Sequence, residues 1–310
     1  MHEDEIDIDM RLVHALVERQ FPAYAGLSLT RLASSGSDNA LFRLGDELLI
    51  RLPRRPGGGV TIAKEARWLP HIAPHLPVAV PEVIAVCEPA CGYPERWSVL
   101  RWLHGASPEP VLTGSPLDPS RTRLAEDLAS LLTALRDIDV PPDAVTSPEL
   151  RWYRGAPLAT RDQATRRAIK ACRTIDGLHV DLEAAEAVWD GALKLSGAAE
   201  SSPPAWYHGD LAAENLLVQD GHLAGVLDFG GLAVGDPTVD LMVAWEVLDA
   251  PARAHFQQQL GVNEATWRRG RAWALSLALM TFPYYWNTMP GRCASRLAVA
   301  QAVLADAESG

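Results

Sequence analysis

Apolar positions recur at helical spacing from about Leu12 to Phe21, and the spacing then shortens: LSLTRLA, ALFRLG and DELLIRLP read as three short strands. SSGSDN, from Ser34 to Asn39, separates the first two, and Gly45-Asp46 joins the next two as a hairpin turn. RRPGGGV follows as a connector. TIAKEARWLPHI then sets Ile62, Ala66 and Leu69 on one helical stripe, with Glu65 beside it. A carboxylate facing a core wants a cationic partner, because burying it unpaired is costly. PEVIAVCE and RWSVLRWL add two strands, which predicts a five-stranded sheet with one helix. The Pro-, Gly- and Ser-rich stretch LHGASPEPVLTGSPLDP marks a boundary, dividing the chain into residues 1–105 and 106–310.

Beyond that boundary the pattern is mainly helical. Leu124, Leu128, Leu131, Leu132 and Leu135 share one face, and weaker helical patterns run from about Arg161 to Ala192. One hairpin interrupts them, where LLV and LAGVLDF flank Asp220-Gly221, a strong two-residue turn signal. Helical spacing resumes from Val239 to Leu248, Thr266 to Met280 and Ser295 to Ala307, so the fold class is α+β.

At 310 residues the chain exceeds what one core usually organises, and 48% hydrophobic with 22% charged residues describes a folded body of two lobes. A net charge of -11 disfavours a nucleic-acid surface and accommodates a cationic partner more readily. The acidic start lacks a secretory pattern, and no apolar run reaches the ~18 residues of a membrane span. Cys87, Cys91, Cys172 and Cys293 form no C-x-x-C pair and read as reduced thiols. Together these features predict a cytoplasmic protein that engages neither nucleic acid nor membrane.

The chemistry concentrates in WYHGDLAAENLLVQDGHLAGVLDFGG, residues 206–231. Protein kinases carry H-R-D-x-x-x-x-N and D-F-G segments that supply a base and two metal ligands. Here His208-Gly209-Asp210 precedes Asn215 by the same interval, and Asp228-Phe229-Gly230 follows. If Asp220 and Gly221 form the turn, Asn215 lies opposite Val226 and Asp228 just beyond. Two oxygen donors then emerge at the open end of one hairpin, where a hard cation can take a ligand from each. Asp210 enters that hairpin on the preceding loop.

His-Gly-Asp, Asn215-Leu216-Leu217, the string from Leu227 to Gly231, Gly235-Asp236-Pro237 and Asp240-Leu241 resemble the aminoglycoside phosphotransferase family. That resemblance implies a protein-kinase-like bilobal fold and transfer of phosphate from ATP, or GTP, to a hydroxyl of a small molecule, an aminoglycoside or related antibiotic. It implies that Asp210 is the base, that Asn215 and Asp228 hold Mg2+, and that Asp240 braces the catalytic loop. An amino alcohol or sugar acceptor, or nucleotide binding without turnover, stays open at this point. Gly209 in place of the kinase Arg, with no A-P-E segment downstream, predicts a site that needs no activating phosphorylation.

In the first lobe, SSGSDN occupies the place of a phosphate-covering loop, with Ser35, Ser37 and Asn39 as donors. Gly57-Gly58-Gly59 lacks a following Gly-Lys-Ser/Thr and reads as a linker. The third strand should present a Lys that pairs with a helical Glu, yet Arg51 stands there, so Arg51 with Glu65 is the expected pair. Adenine would meet the backbone of Arg101 and Leu103 after RWSVL. Glu246 and Asp249, three residues apart on a helical pattern, are candidates for an amine-bearing acceptor.

Overall fold

The computed structural model describes residues 5–33, 38–109, 111, 117–200 and 202–309. Two compact units share them. One holds the chain up to Pro74, Ala79–Gly105 and Gly225–Gly230; the other holds His75–Val78, Ala106–Ala224 and Gly231 onward.

In the first unit, helix α1 (Met10–Gln20) starts where Asp9 accepts from the Leu12 amide at 2.8 Å, an ordinary N-cap. Strands β1 (Leu29–Arg31), β2 (Asn39–Leu44) and β3 (Leu48–Pro53) follow, then helix α2 (Gly59–Ile72), β4 (Val83–Cys87) and β5 (Trp97–Arg101). The strands form the expected five-stranded antiparallel sheet, in the order β1-β2-β3-β5-β4. Its core is Phe42, Ile50, Leu52, Trp97 and Val99, packed with Val13 and Leu16 of α1. The glycine run corrects the linker expectation. Glu95 accepts from the amides of Gly57 at 2.9 Å and Gly59 at 3.0 Å, so an anion satisfies the unpaired N–H groups that open α2.

The second unit begins with α3 (Ser120–Asp137), α4 (Pro142–Thr146), α5 (Asp162–Cys172) and α6 (Leu182–Leu193). Strand β6 (Ala205–Tyr207) pairs antiparallel with β9 (Ala233–Gly235). Between them, β7 (Leu216–Gln219) and β8 (His222–Val226) form the hairpin read from Asp220-Gly221. Both turn residues have positive φ, 53° and 78°, which a two-residue turn of the primed type requires. The last four helices are α7 (Val243–Val247), α8 (Ala250–Leu260), α9 (Glu264–Tyr285) and α10 (Pro290–Ser309). Helix α9 is buried on all sides between Trp267 and Phe282, the mark of a central helix.

The region from Val239 to Leu248 departs from the expected single helix. Pro237–Met242 is 3-10, α7 covers five residues, and Leu248 is extended, which lets Asp249 cap α8 by accepting from Ala252 at 3.0 Å. Helix α8 gave no sequence signal that distinguished it. Among the described residues no helix is long and apolar enough to cross a membrane, and the four cysteines are free thiols.

Candidate active site

The catalytic-loop string lies in the second unit, where Asp240 ties it down. Its buried carboxylate accepts from the amides of His208 at 2.7 Å and Gly209 at 2.6 Å. Burial pushes the Asp240 carboxyl up, against the pull of His208 and those two amides. Gly209 has φ 83°, and a Cβ there would stand 2.6 Å from the Trp152 ring; at Gly231 a Cβ would meet the same ring at the same distance. The loop therefore takes glycine for a steric reason as well as the absent phosphate partner.

Asp210 is one-third exposed and held by Arg154, whose Nη1 donates to Asp210 Oδ1 at 2.6 Å and to the Gly209 carbonyl at 2.7 Å. The Arg154 guanidinium lies 4.4 Å over the Trp152 ring. Burial works against the Asp210 carboxylate, but the charge and hydrogen bond of Arg154 outweigh it and hold the carboxyl below its ordinary range. Asn215, buried, donates from Nδ2 to the Asp210 carbonyl at 2.9 Å, which leaves its oxygen as the atom it can offer a cation.

Beside the loop, Glu246 is buried and ion-paired with Arg296, whose Nη2 also lies 3.8 Å from Glu214. Arg292 reaches Glu214 at 3.9 Å. Glu246 and Asp249 are thus not neighbours on one helix: the first sits in a salt bridge and the second caps α8. Both carboxylates already have partners in the protein.

The D-F-G residues lie in the first unit, because β8 bridges Ala79, with the Val226 amide donating to the Ala79 carbonyl at 2.9 Å. Asp228 has φ 56°, a left-handed conformation costly for a residue with a Cβ, and its carboxylate is half exposed. Arg51, in the centre of the sheet, hydrogen-bonds Glu65 through Nη2 and lies 3.8 Å from Asp228 Oδ1 through Nη1. Burial opposes the charge on Arg51, yet Glu65 and Asp228 together raise its pKa, so it stays cationic. Arg51 Nε and Glu65 Oε1 are buried without a hydrogen-bond partner among the described residues. Such orphaned polar atoms fit a site made for a polar group outside the protein.

Asn39 opens β2 and its carbonyl accepts from Arg54 at 3.1 Å; Ser35 and Ser37 lie outside the described residues. The Arg101 amide donates to Glu82 at 3.0 Å and the Trp102 amide to Glu47 at 2.8 Å, while no described backbone bond uses Leu103.

Sequence reading missed Arg154, Trp152 and Lys64. The first two sit in RWYRG, a stretch without periodicity, where clustered aromatic and Arg residues were the one available signal.

A family model described as the phosphotransferase enzyme family matches residues 29–273. Aminoglycoside 3'-phosphotransferase of Escherichia coli is 26% identical over 185 residues, 59% of this chain and 61% of its own length, so the match spans less than two thirds of that relative. The GDP complex of aminoglycoside 2'-phosphotransferase-IIIa superposes with a TM-score of 0.72 at 18% identity, covering 97% of this chain and 100% of that one. Macrolide 2'-phosphotransferase of Brachybacterium faecium superposes with a TM-score of 0.62 at 25% identity, covering 95% of this chain and 97% of its own.

Proposed function

The chain belongs to the phosphotransferase enzyme family, that of the aminoglycoside phosphotransferases, and from this premise we propose that it transfers the γ-phosphoryl of ATP to a hydroxyl of a small-molecule antibiotic. The observation that carries the reading is Asp210, anionic and fixed at Oδ1 by Arg154, on a loop pinned by Asp240. Its second oxygen is the one to accept a proton from the attacking hydroxyl. Positioning and charge neutralisation are the main sources of rate in such transfers.

Asn215 and Asp228 are the proposed magnesium ligands, one amide oxygen and one carboxylate, hard donors of the kind this ion takes. Magnesium, when bound, neutralises phosphate charge. Arg51, held by Glu65, faces the nucleotide phosphates; Ser35, Ser37 and Asn39 donate to phosphate oxygens; and the backbone of Arg101 and Leu103 receives adenine. The unpartnered Arg51 Nε, a buried donor, supports the place given to Arg51.

Acceptors of two kinds have support in the relatives, aminoglycoside and macrolide. The partners of Glu246 and Asp249 favour the second, since neither carboxylate stands ready for an amine. Incubation with ATP, magnesium and one compound of each kind, read by mass, tests the proposal. A phosphorylated product is the expected result, and ATP binding without any product would contradict it.

A further inference from the structure

Arg154 holds two side chains of the second unit with one guanidinium. Its Nη1 donates to Asp210 Oδ1 at 2.6 Å, and its Nε donates to the Tyr153 hydroxyl at 3.1 Å. Arginine has no acceptor atom, so the direction of the second bond is fixed: the Tyr153 oxygen accepts and keeps its own hydrogen for another group. Among the described residues nothing takes that hydrogen. The ring that carries it is held in place. The Arg161 guanidinium lies 4.2 Å from its centroid, the Trp152 ring meets it edge-on at 5.4 Å, and Arg161 is tied to α9 through Met280 Sδ at 3.4 Å. Tyr153 is nevertheless 38% exposed.

We infer that the Tyr153 hydroxyl binds the acceptor, donating to an oxygen next to the hydroxyl that Asp210 deprotonates. The inference deepens the transfer reading above and rests on it. Arg154 occupies Asp210 Oδ1, so Oδ2 is the oxygen that meets the reacting hydroxyl. Fixed to one guanidinium, a hydrogen-bond acceptor and a hydrogen-bond donor then face the acceptor molecule together. They match a hydroxyl flanked by an ether or hydroxyl oxygen, the pattern of a sugar ring. A hydroxyl flanked only by protonated amines offers Tyr153 no lone pair. Asp210 alone would receive any hydroxyl; Tyr153 adds the second point that sets the ring's orientation. Because Arg161 and Trp152 hold the phenol beforehand, little side-chain freedom is lost when the acceptor arrives.

Tyr153→Phe keeps the ring and its contacts with Arg161 and Trp152 and removes the donor. Kinetics with ATP, magnesium and kanamycin or erythromycin, whichever wild type phosphorylates, provide the test. The expected result is a kcat/KM for the acceptor lower by about threefold to tenfold, the worth of one neutral hydrogen bond. KM for ATP and the melting temperature should stay as in wild type. Replacing Tyr153 with 3-fluorotyrosine, assayed on the acid side of neutral where the phenol keeps its proton, reads the direction of the bond. Fluorine makes the phenol a better donor and a poorer acceptor, so kcat/KM for the acceptor should rise above wild type. If it stays level or falls, the hydroxyl serves only to accept from Arg154, and the proposal fails. An unchanged acceptor kcat/KM in Tyr153→Phe overturns it equally. If wild type phosphorylates neither compound, the antibiotic-transfer reading fails first and takes this inference with it.

Discussion

Among the groups that offset the burial of Asp210, Arg154 contributes most, ahead of His208 and Arg296. Arg154 stacks on Trp152, which fixes the guanidinium, and the guanidinium fixes Asp210 Oδ1. Asp210→Ala should lower transfer by about two to four orders of magnitude, the usual contribution of a general base, while calorimetry still detects ATP. Arg154→Gln removes the interaction that depresses the carboxyl. A base works when deprotonated, so a lowered pKa keeps wild type active into the acid range. In Arg154→Gln the acid limb of the kcat/KM profile should move to higher pH, and an unmoved limb would show that Arg154 does not set the charge state of the base. In the first unit, Arg51→Ala and Glu65→Ala should each raise the apparent KM for ATP. The double variant should lose less than the sum, because the residues share one interaction.

At the scale of elements, the loop from His208 to Asp210 is held through its backbone by the side chains of Asp240, Arg154 and Asn215. Asp240→Ala would leave the buried amides of His208 and Gly209 without an acceptor, at a cost of about 2–4 kcal/mol, and should lower both melting temperature and activity. Gly209→Ala combines a positive φ with a clash against Trp152 and should show the same pair of losses. The hairpin and the sheet were legible in sequence because Asp220-Gly221 is a specific turn signal and short apolar runs bounded by turn residues mark the strands, with β2 alternating strictly. The proposed base and metal ligands stand out in sequence because the spacing within one short string sets them together. What stayed hidden depends on groups far apart in the chain. Glu95, 36 residues beyond Gly59, turns a glycine run into a helix start. Arg154 meets Asp210 across 56 residues, and Lys64 meets Gly230 across 166. Glu246, a candidate for the acceptor by sequence, is held by Arg296, 50 residues away.

For the whole molecule, the net charge of -11 first pointed to a cationic acceptor. Near the proposed base, however, the named charges are Arg154, Arg296 and Arg292, with Glu214 and Glu246 paired to the last two. Global charge governs encounter; this local set governs fit. An acceptor with one amine should therefore outcompete kanamycin-like polycations, a ranking that kcat/KM on matched compounds reads directly. The central claim is magnesium-dependent phosphoryl transfer through Asp210, and one measurement addresses it most directly. Wild type and Asp210→Ala are incubated with ATP, magnesium and a panel of hydroxyl-bearing antibiotics, and products are weighed by high-resolution mass spectrometry. The account predicts a compound that gains one phosphoryl group with wild type, not without magnesium, and about a hundredfold or more slower with Asp210→Ala. Equal product from both proteins, or ATP bound and no compound phosphorylated by either, would contradict it.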